Sequence, residues 1–267
     1  MIYVLGLAIL PFATEPKADR YRSEAPLPAV EIMTEQAVNM ISRMVQLSES
    51  AVTVEFGNTI DLHTNELVLA FTAAVDQAVI PGLMEVVPTY CSATVYFNAM
   101  LTDAVTIMKD LRALSMNAAV APSPSSITHT IPVWYGDAAG PDLTDVAKQA
   151  GLTPEEAGAL HASATYRVFM LGFSPGFPYL GTVPARIATP RLQTPRKQVA
   201  AGSVGIAGTQ TGIYPQASPG GWRIIGRTPV LLFNLHRPKP FLLAPGDQVR
   251  FVPIEEDEFK ELSEDRT

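Results

Sequence analysis

The chain has 267 residues, 47% hydrophobic and 17% charged, enough to bury a substantial core and form two compact units. A formal charge of −7 and a pI near 5.1 give no general attraction to nucleic acid or to anionic membranes, both of which call for a basic face. The single cysteine, Cys91, excludes an internal disulfide and a thiolate metal site, and fits a reducing, cytoplasmic compartment.

Residues 1–38 open on an apolar stretch, Met1 to Ala13, that lacks a positive n-region and is shorter than the roughly 20 residues a spanning helix needs. Pro11, Pro16, Pro26 and Pro28 break any regular element there, so the segment reads as a leader outside the fold. From residue 39 the pattern becomes regular. Met40 to Leu47 and Ala51 to Phe56 alternate as a hairpin around Ser48, Glu49 and Ser50. Asp61 can cap a following helix whose apolar side is Leu62, Leu67, Leu69, Ala70, Ala73 and Ala74, stopped by Pro81 and Gly82. Val86 to Tyr90 and Ala93 to Phe97 read as two further strands, and Thr102 to Met116 as a helix with Val105, Met108, Leu111 and Leu114 on one face. Residues 39–117 thus predict a small α+β unit.

Residues 118–127, rich in small residues with Pro122 and Pro124, read as a linker. Residues 128–254 have a different texture. A strand at Ile131 to Tyr135 precedes a short helix at Asp142 to Ala150. Thr153-Pro154-Glu155-Glu156 then has the capping residue, early proline and acids of a helix start, with the helix running to His161. Beyond Tyr166 come short β-branched and aromatic runs, among them Ser203 to Ala207, Arg223 to Ile225, Val230 to Phe233 and Gln248 to Val252, punctuated by glycine and proline. That spacing predicts an all-β, closed or nearly closed barrel, and an α+β chain overall. Residues 255–267 are dominated by acids and read as a frayed or solvated tail.

Between Ala157 and Gly246 there is no aspartate or glutamate, while nine lysines and arginines are present, Arg191, Arg196 and Arg227 among them. Guanidinium groups gathered without counter-ions suit a carboxylate or phosphate through their forked donors. The competing reading is a basic barrel exterior screened by salt. The same lack of acids removes any Asp or Glu base and any carboxylate for Mg²⁺ from this half, so such groups must come from the first unit or from another polypeptide.

Gly172-Phe173-Ser174-Pro175-Gly176 matches the G-x-S-x-G elbow of α/β-hydrolases, but Pro175 has no N–H for an oxyanion hole, so Ser174 reads as part of a rigid turn. Gly202 to Gly212 lacks the lysine and the strand-loop-helix setting of a phosphate loop. The four histidines are too dispersed for a zinc site, and no metal ligands are assigned. His161 stands out at a helix end, where a histidine serves more often as a hydrogen-bonding group than as a catalyst. Trp222, after Ser218-Pro219-Gly220-Gly221, and the proline-fixed aromatics Tyr214, Phe177 and Tyr179 either plug the barrel or wall a small planar acid.

The segments GFSPGFPYLG at 172–181, TPRLQTPRKQVAAGSVGIAGTQTGIYP at 189–215 and SPGGWRIIGRTP at 218–229 resemble the signature blocks of the KipI/PxpB family, with LHASATYRVFMLGF at 160–173, PGDQVRF at 245–251 and SESAVTVEFG at 48–57 in support. Ala200 departs from the proline more often found before the Ala-Gly-Ser turn, which removes no functional group. The resemblance implies a small α/β domain followed by a cyclophilin-like barrel. It also implies a role as the B-type component of an ATP-dependent 5-oxoprolinase, working with KipA/PxpC-type and PxpA-type subunits. By position it places His161, Gln210 and Tyr214 as catalytic groups positioning the amide. Arg191, Arg196 and Arg227 then hold the acid or a phosphorylated intermediate, with Ser203, Thr211, Trp222, Phe177 and Tyr179 completing the pocket. ATP is the implied cofactor, with any Mg²⁺ ligands expected from a partner. Two rivals remain: a KipI-type inhibitor of a histidine kinase, and a carboxyltransferase-like module of urea or allophanate metabolism.

Overall fold

The computed structural model describes residues 41–118 and 126–264; the leader and most of the linker lie outside them. The N-terminal layer is a four-stranded antiparallel sheet made from β1 (Arg43–Ser48), β2 (Ala51–Glu55), β3 (Leu83–Pro88) and β4 (Ser92–Phe97), in the order β1-β2-β4-β3. Helices α1 (Leu62–Gln77) and α2 (Ala104–Ala118) cover one face. Asp61 caps α1 as expected, its Oδ1 accepting the Thr64 N–H at 2.8 Å. The buried stripes differ in phase from the sequence reading. In α1 they run through Val68, Phe71 and Val75 while Leu62 is exposed, and in α2 through Ala104, Ile107 and Leu111 while Val105 is exposed. Leu69 and Ala70 are buried as expected, whereas Thr64 and Asn65 take the place of Leu62 on the buried side, where α1 meets the barrel.

The second layer is built from β5 (Thr128–Tyr135), β6 (Thr165–Leu171), β7 (Pro178–Gly181), β9 (Ser203–Ala207), β10 (Gln210–Ile213), β12 (Arg223–Arg227) and β13 (Gln248–Ile254). These strands form a closed barrel in the order β10-β7-β6-β13-β5-β12-β9. A two-stranded flap of β8 (Arg196–Val199) and β11 (Ser218–Gly220) lies beside it. Closure satisfies every strand edge within the barrel, the usual solution for many short strands. Helices α3 (Leu143–Ala150) and α4 (Pro154–Ala162) pack against its side. The capping box of α4 forms as read: Thr153 Oγ1 accepts from Glu156 N–H at 3.2 Å and Glu156 accepts from Thr153 N–H at 2.8 Å. Val230 to Phe233 is not a strand. Pro229, Pro238 and Pro240 remove ladder donors nearby, and only an isolated bridge joins Phe233 to Phe241. The acidic tail forms α5 (Glu256–Glu264), which lays Phe259 against Trp134, ring centroids 5.5 Å apart.

Asp247 fastens the barrel entrance: it accepts the N–H groups of Ile127 at 3.1 Å and Ala244 at 2.9 Å and contacts His129 Nε2 at 3.1 Å. Gly202 sits at the turn into β9 with φ +82°, where an added methyl would run into the Thr228 carbonyl oxygen. Gly202→Ala combines that clash with left-handed strain and is expected to destabilise the barrel by about 2–4 kcal/mol, measured by urea denaturation.

Candidate functional site

The site begins where the N-terminal layer meets the barrel. Asn65, fully buried on α1, donates through Nδ2 to the carbonyls of Thr89 (3.2 Å), Tyr90 (3.3 Å) and Phe169 (3.2 Å), and its Oδ1 accepts from Arg167 Nε at 3.3 Å. This shared amide fixes the β3–β4 turn against β6. The turn presents Tyr90, whose ring lies 5.6 Å from that of Phe169 and 5.9 Å from that of Tyr179. The side-chain amide of Gln210, from β10, donates to the Tyr90 hydroxyl.

Next to this junction is an aromatic cluster of Phe177, Tyr179, Tyr214 and Trp222, with ring centroids 4.9–5.9 Å apart in edge-to-face arrangements. Edge-to-face packing holds these side chains in single orientations. The β6–β7 turn adds Phe173, at φ +62° and half exposed, against Phe177 and Tyr214. Ser174 belongs to that turn, donating its N–H to the Gly172 carbonyl at 2.6 Å, as the reading of a rigid turn requires.

Arg191 lies over the Trp222 ring at 5.8 Å, in a loop tied down by Gly208 N–H to Thr189 O (2.8 Å) and Leu192 N–H to Gly221 O (2.7 Å). Its charge lowers the proton affinity of the Tyr90, Tyr179 and Tyr214 hydroxyls, though burial is the stronger effect and holds all three above the ordinary phenol value. Among the described residues Arg191 has no carboxylate partner. Three of the other basic groups are compensated from outside the acid-free stretch. Arg196 Nη2 meets Asp142 at 2.7 Å, Arg223 meets Asp145 at 3.5 Å and Arg167 lies 4.0 Å from Glu66. Asp142 also accepts the Ile224 N–H at 2.6 Å, which is why it makes no cap bond to α3. Arg227 is directed elsewhere, donating to Ala201 O at 2.8 Å and covering Phe259 at 5.7 Å. The three arginines therefore do not converge; Arg191 and Arg196 share the aromatic cluster and Arg227 serves the α5 side.

His161 occupies the barrel interior with no exposed surface, stacked on Phe251 (4.8 Å) and Tyr166 (5.1 Å). Its Nε2 lies 2.9 Å from Thr211 Oγ1 and its Nδ1 2.8 Å from Tyr135 Oη. Because the Thr211 hydroxyl gives its hydrogen to Gly205 O at 3.0 Å, Nε2 must donate to Thr211 and Nδ1 must accept from Tyr135. Burial drives the imidazole pKa down to about 3, so the ring is neutral. In this geometry His161 holds Thr211, and with it the strand that carries Gln210. Ser203 and Thr211 are both buried in the barrel wall.

Sequence reasoning missed Tyr90, Asn65 and Asp142. The available signal for Tyr90 was Pro88-Thr89-Tyr90, an aromatic near a proline, weaker than at Tyr214 and Phe177, where the proline directly follows the ring. Among the described residues no three His, Cys, Asp or Glu side chains converge as a metal would need, and no helix is long and apolar enough to cross a membrane. An open pocket of about 400 Å³, lined by Pro132, Val230, Asn234, Arg237 and Leu262, lies away from the aromatic cluster.

Residues 42–243 match the family described as carboxyltransferase domain, subdomain C and D. The B component of 5-oxoprolinase from Bacillus subtilis is 39% identical over 230 residues, covering 82% of this chain and 96% of that protein. Its counterpart from Escherichia coli O157:H7, also a 5-oxoprolinase B component, is 41% identical over 215 residues, covering 80% and 97%. Among solved structures, TTHA0988 superposes with a TM-score of 0.68 at 38% identity, over 77% of this chain; the chain spans 40% of that longer protein. With residues 42–243 matched and relatives 39% and 41% identical over four-fifths of its length, this chain belongs to the carboxyltransferase subdomain C and D family.

Proposed function

We propose that the chain is the B-type component of a heteromeric, ATP-dependent 5-oxoprolinase and that it binds the small acid whose lactam is opened to glutamate. The observation that carries this reading is Arg191, a guanidinium without a carboxylate partner among the described residues, set over Trp222 beside Tyr179, Tyr214 and Tyr90. A forked cation on a rigid aromatic floor fits a carboxylate attached to a small planar ring. The likeness to two 5-oxoprolinase B components over four-fifths of the chain supports the same substrate.

In this reading Arg191 takes the carboxylate, Trp222 and Tyr179 bound the ring, and Gln210 is a positioning residue at the amide edge, acting through the Tyr90 hydroxyl that its side chain holds. Tyr214 braces Phe177, which in turn packs edge-on against Trp222, and His161 is a positioning residue acting through Thr211. ATP, bound in the assembled enzyme, supplies the energy for lactam opening. The described residues of this chain do not fit a magnesium nucleotide by themselves. Gly202 to Gly212 forms the β9–β10 hairpin rather than a phosphate loop, and no carboxylate cluster is present among them to hold the ion. Those groups are assigned to KipA/PxpC-type and PxpA-type partner subunits.

The chain alone is therefore expected to show no ATP-dependent cleavage of 5-oxoproline, and addition of its partner subunits is expected to establish it, followed as glutamate release. Robust turnover by the isolated chain would count against a shared site. Capture of a sensor kinase instead, without cleavage by the assembled subunits, would favour the inhibitor reading.

A further inference from the structure

Tyr90 carries the N-terminal layer into the aromatic cluster of the barrel, and its hydrogen bonding is incomplete in an informative way. The hydroxyl oxygen accepts from the Gln210 amide, which leaves the hydroxyl hydrogen to be given elsewhere. Among the described residues no acceptor takes it. A residue serving only to pack the two layers would need the ring against Phe169 and Tyr179, not a hydroxyl held by a second side chain. The Asn65 amide fixes the main chain of the turn, Phe169 and Tyr179 hold the ring and Gln210 holds the hydroxyl, so the hydroxyl is oriented rather than free to swing. Tyr90 is only partly buried, and the Arg191 charge reaches it as the weakest of the influences on its hydroxyl, behind burial, Tyr179 and the Gln210 hydrogen bond. Burial keeps the phenol protonated at any physiological pH, so it remains a neutral donor.

We propose that Tyr90 is a specificity-determining residue whose hydroxyl donates to the ring carbonyl oxygen of a small acid held through its carboxylate by Arg191. The proposal rests on the 5-oxoprolinase reading above and deepens it. A carboxylate clamp alone would accept any small cyclic amino acid, whereas a donor opposite the carbonyl selects those that carry one. Sites built to hydrogen-bond a substrate group discriminate against analogues lacking it, because the protein donor is then left unpaired.

The test uses the assembled enzyme with wild-type chain and with Tyr90→Phe, measuring 5-oxoproline turnover and inhibition by L-proline, which has the same ring and carboxylate but no ring carbonyl. Tyr90→Phe is expected to raise the KM for 5-oxoproline about tenfold with kcat within about twofold. The inhibition constant for L-proline should stay unchanged, as should the thermal midpoint of the isolated chain. Gln210→Ala, which leaves the hydroxyl in place but unheld, is expected to raise the KM in the same direction by a smaller factor, and it decides the matter should Tyr90→Phe fail to fold. An unchanged KM in the variants, or a KM and an L-proline constant that rise together, overturns the proposal while leaving the functional reading intact. A wild-type complex that neither cleaves nor binds 5-oxoproline overturns both.

Discussion

Acidification from pH 7 to pH 4 is expected to weaken the barrel by about 3 kcal/mol through His161 alone. The ring is buried and neutral, with its pKa pushed down to about 3, whereas in the unfolded chain it titrates near the ordinary value of 6.5. Below that value the unfolded state binds a proton that the folded state refuses. The stabilisation is thus complete above pH 6.5 and falls by about 1.4 kcal/mol per pH unit as pH drops toward 3. Urea denaturation at half-unit intervals measures it, and His161→Gln is the control, because glutamine can hydrogen-bond Thr211 but takes up no proton. The wild-type curve should fall more steeply than the variant's between about pH 6.5 and 4. Parallel curves would mean that the imidazole is reached by protons in the folded state, and the sealed relay from Tyr135 to Gly205 would have to be abandoned.

Arg191→Ala is expected to lower kcat/KM of the assembled enzyme by about two to three orders of magnitude, without a change in the thermal midpoint. The side chain is exposed and has no carboxylate among the described residues to strand, so its removal leaves no buried charge. Arg191→Lys should recover only a small part, since an ammonium keeps the charge but loses the fork and the flat stacking on Trp222. Arg196 makes a poorer probe: removing it strands Asp142, which is 5% exposed, and any loss of activity would be mixed with loss of structure. Turnover unaffected by Arg191→Ala would take the guanidinium out of the site.

Local signals were legible where the physics is local. Thr153, Pro154 and Glu156 write the start of α4 within four residues, and the glycine-proline punctuation after Tyr166 announces a closed all-β body. Helix phases were misread where the buried face answers to the barrel, as at Asn65, rather than to the sheet alone. The arginines misled in part for a similar reason. A stretch free of acids in sequence is not free of them in space, and Asp142, Asp145 and Glu66 arrive from neighbouring elements. The junction pairing Tyr90 with Gln210 spans 120 positions and has no local trace beyond a proline two residues before an aromatic.

The barrel's last strand has a consequence for the order of assembly during synthesis. β13 runs parallel to β5 and antiparallel to β6, wedged between the first two strands of the barrel. Until Gln248 to Ile254 emerge from the ribosome, those two early strands have no neighbour to join them, and the cylinder stays open along a seam. The N-terminal sheet, built from hairpins close in sequence, can mature while the rest is still being made. A nascent chain stalled before Gln248 would therefore carry one finished layer and one unzipped one, with bare strand edges for chaperones or siblings to capture.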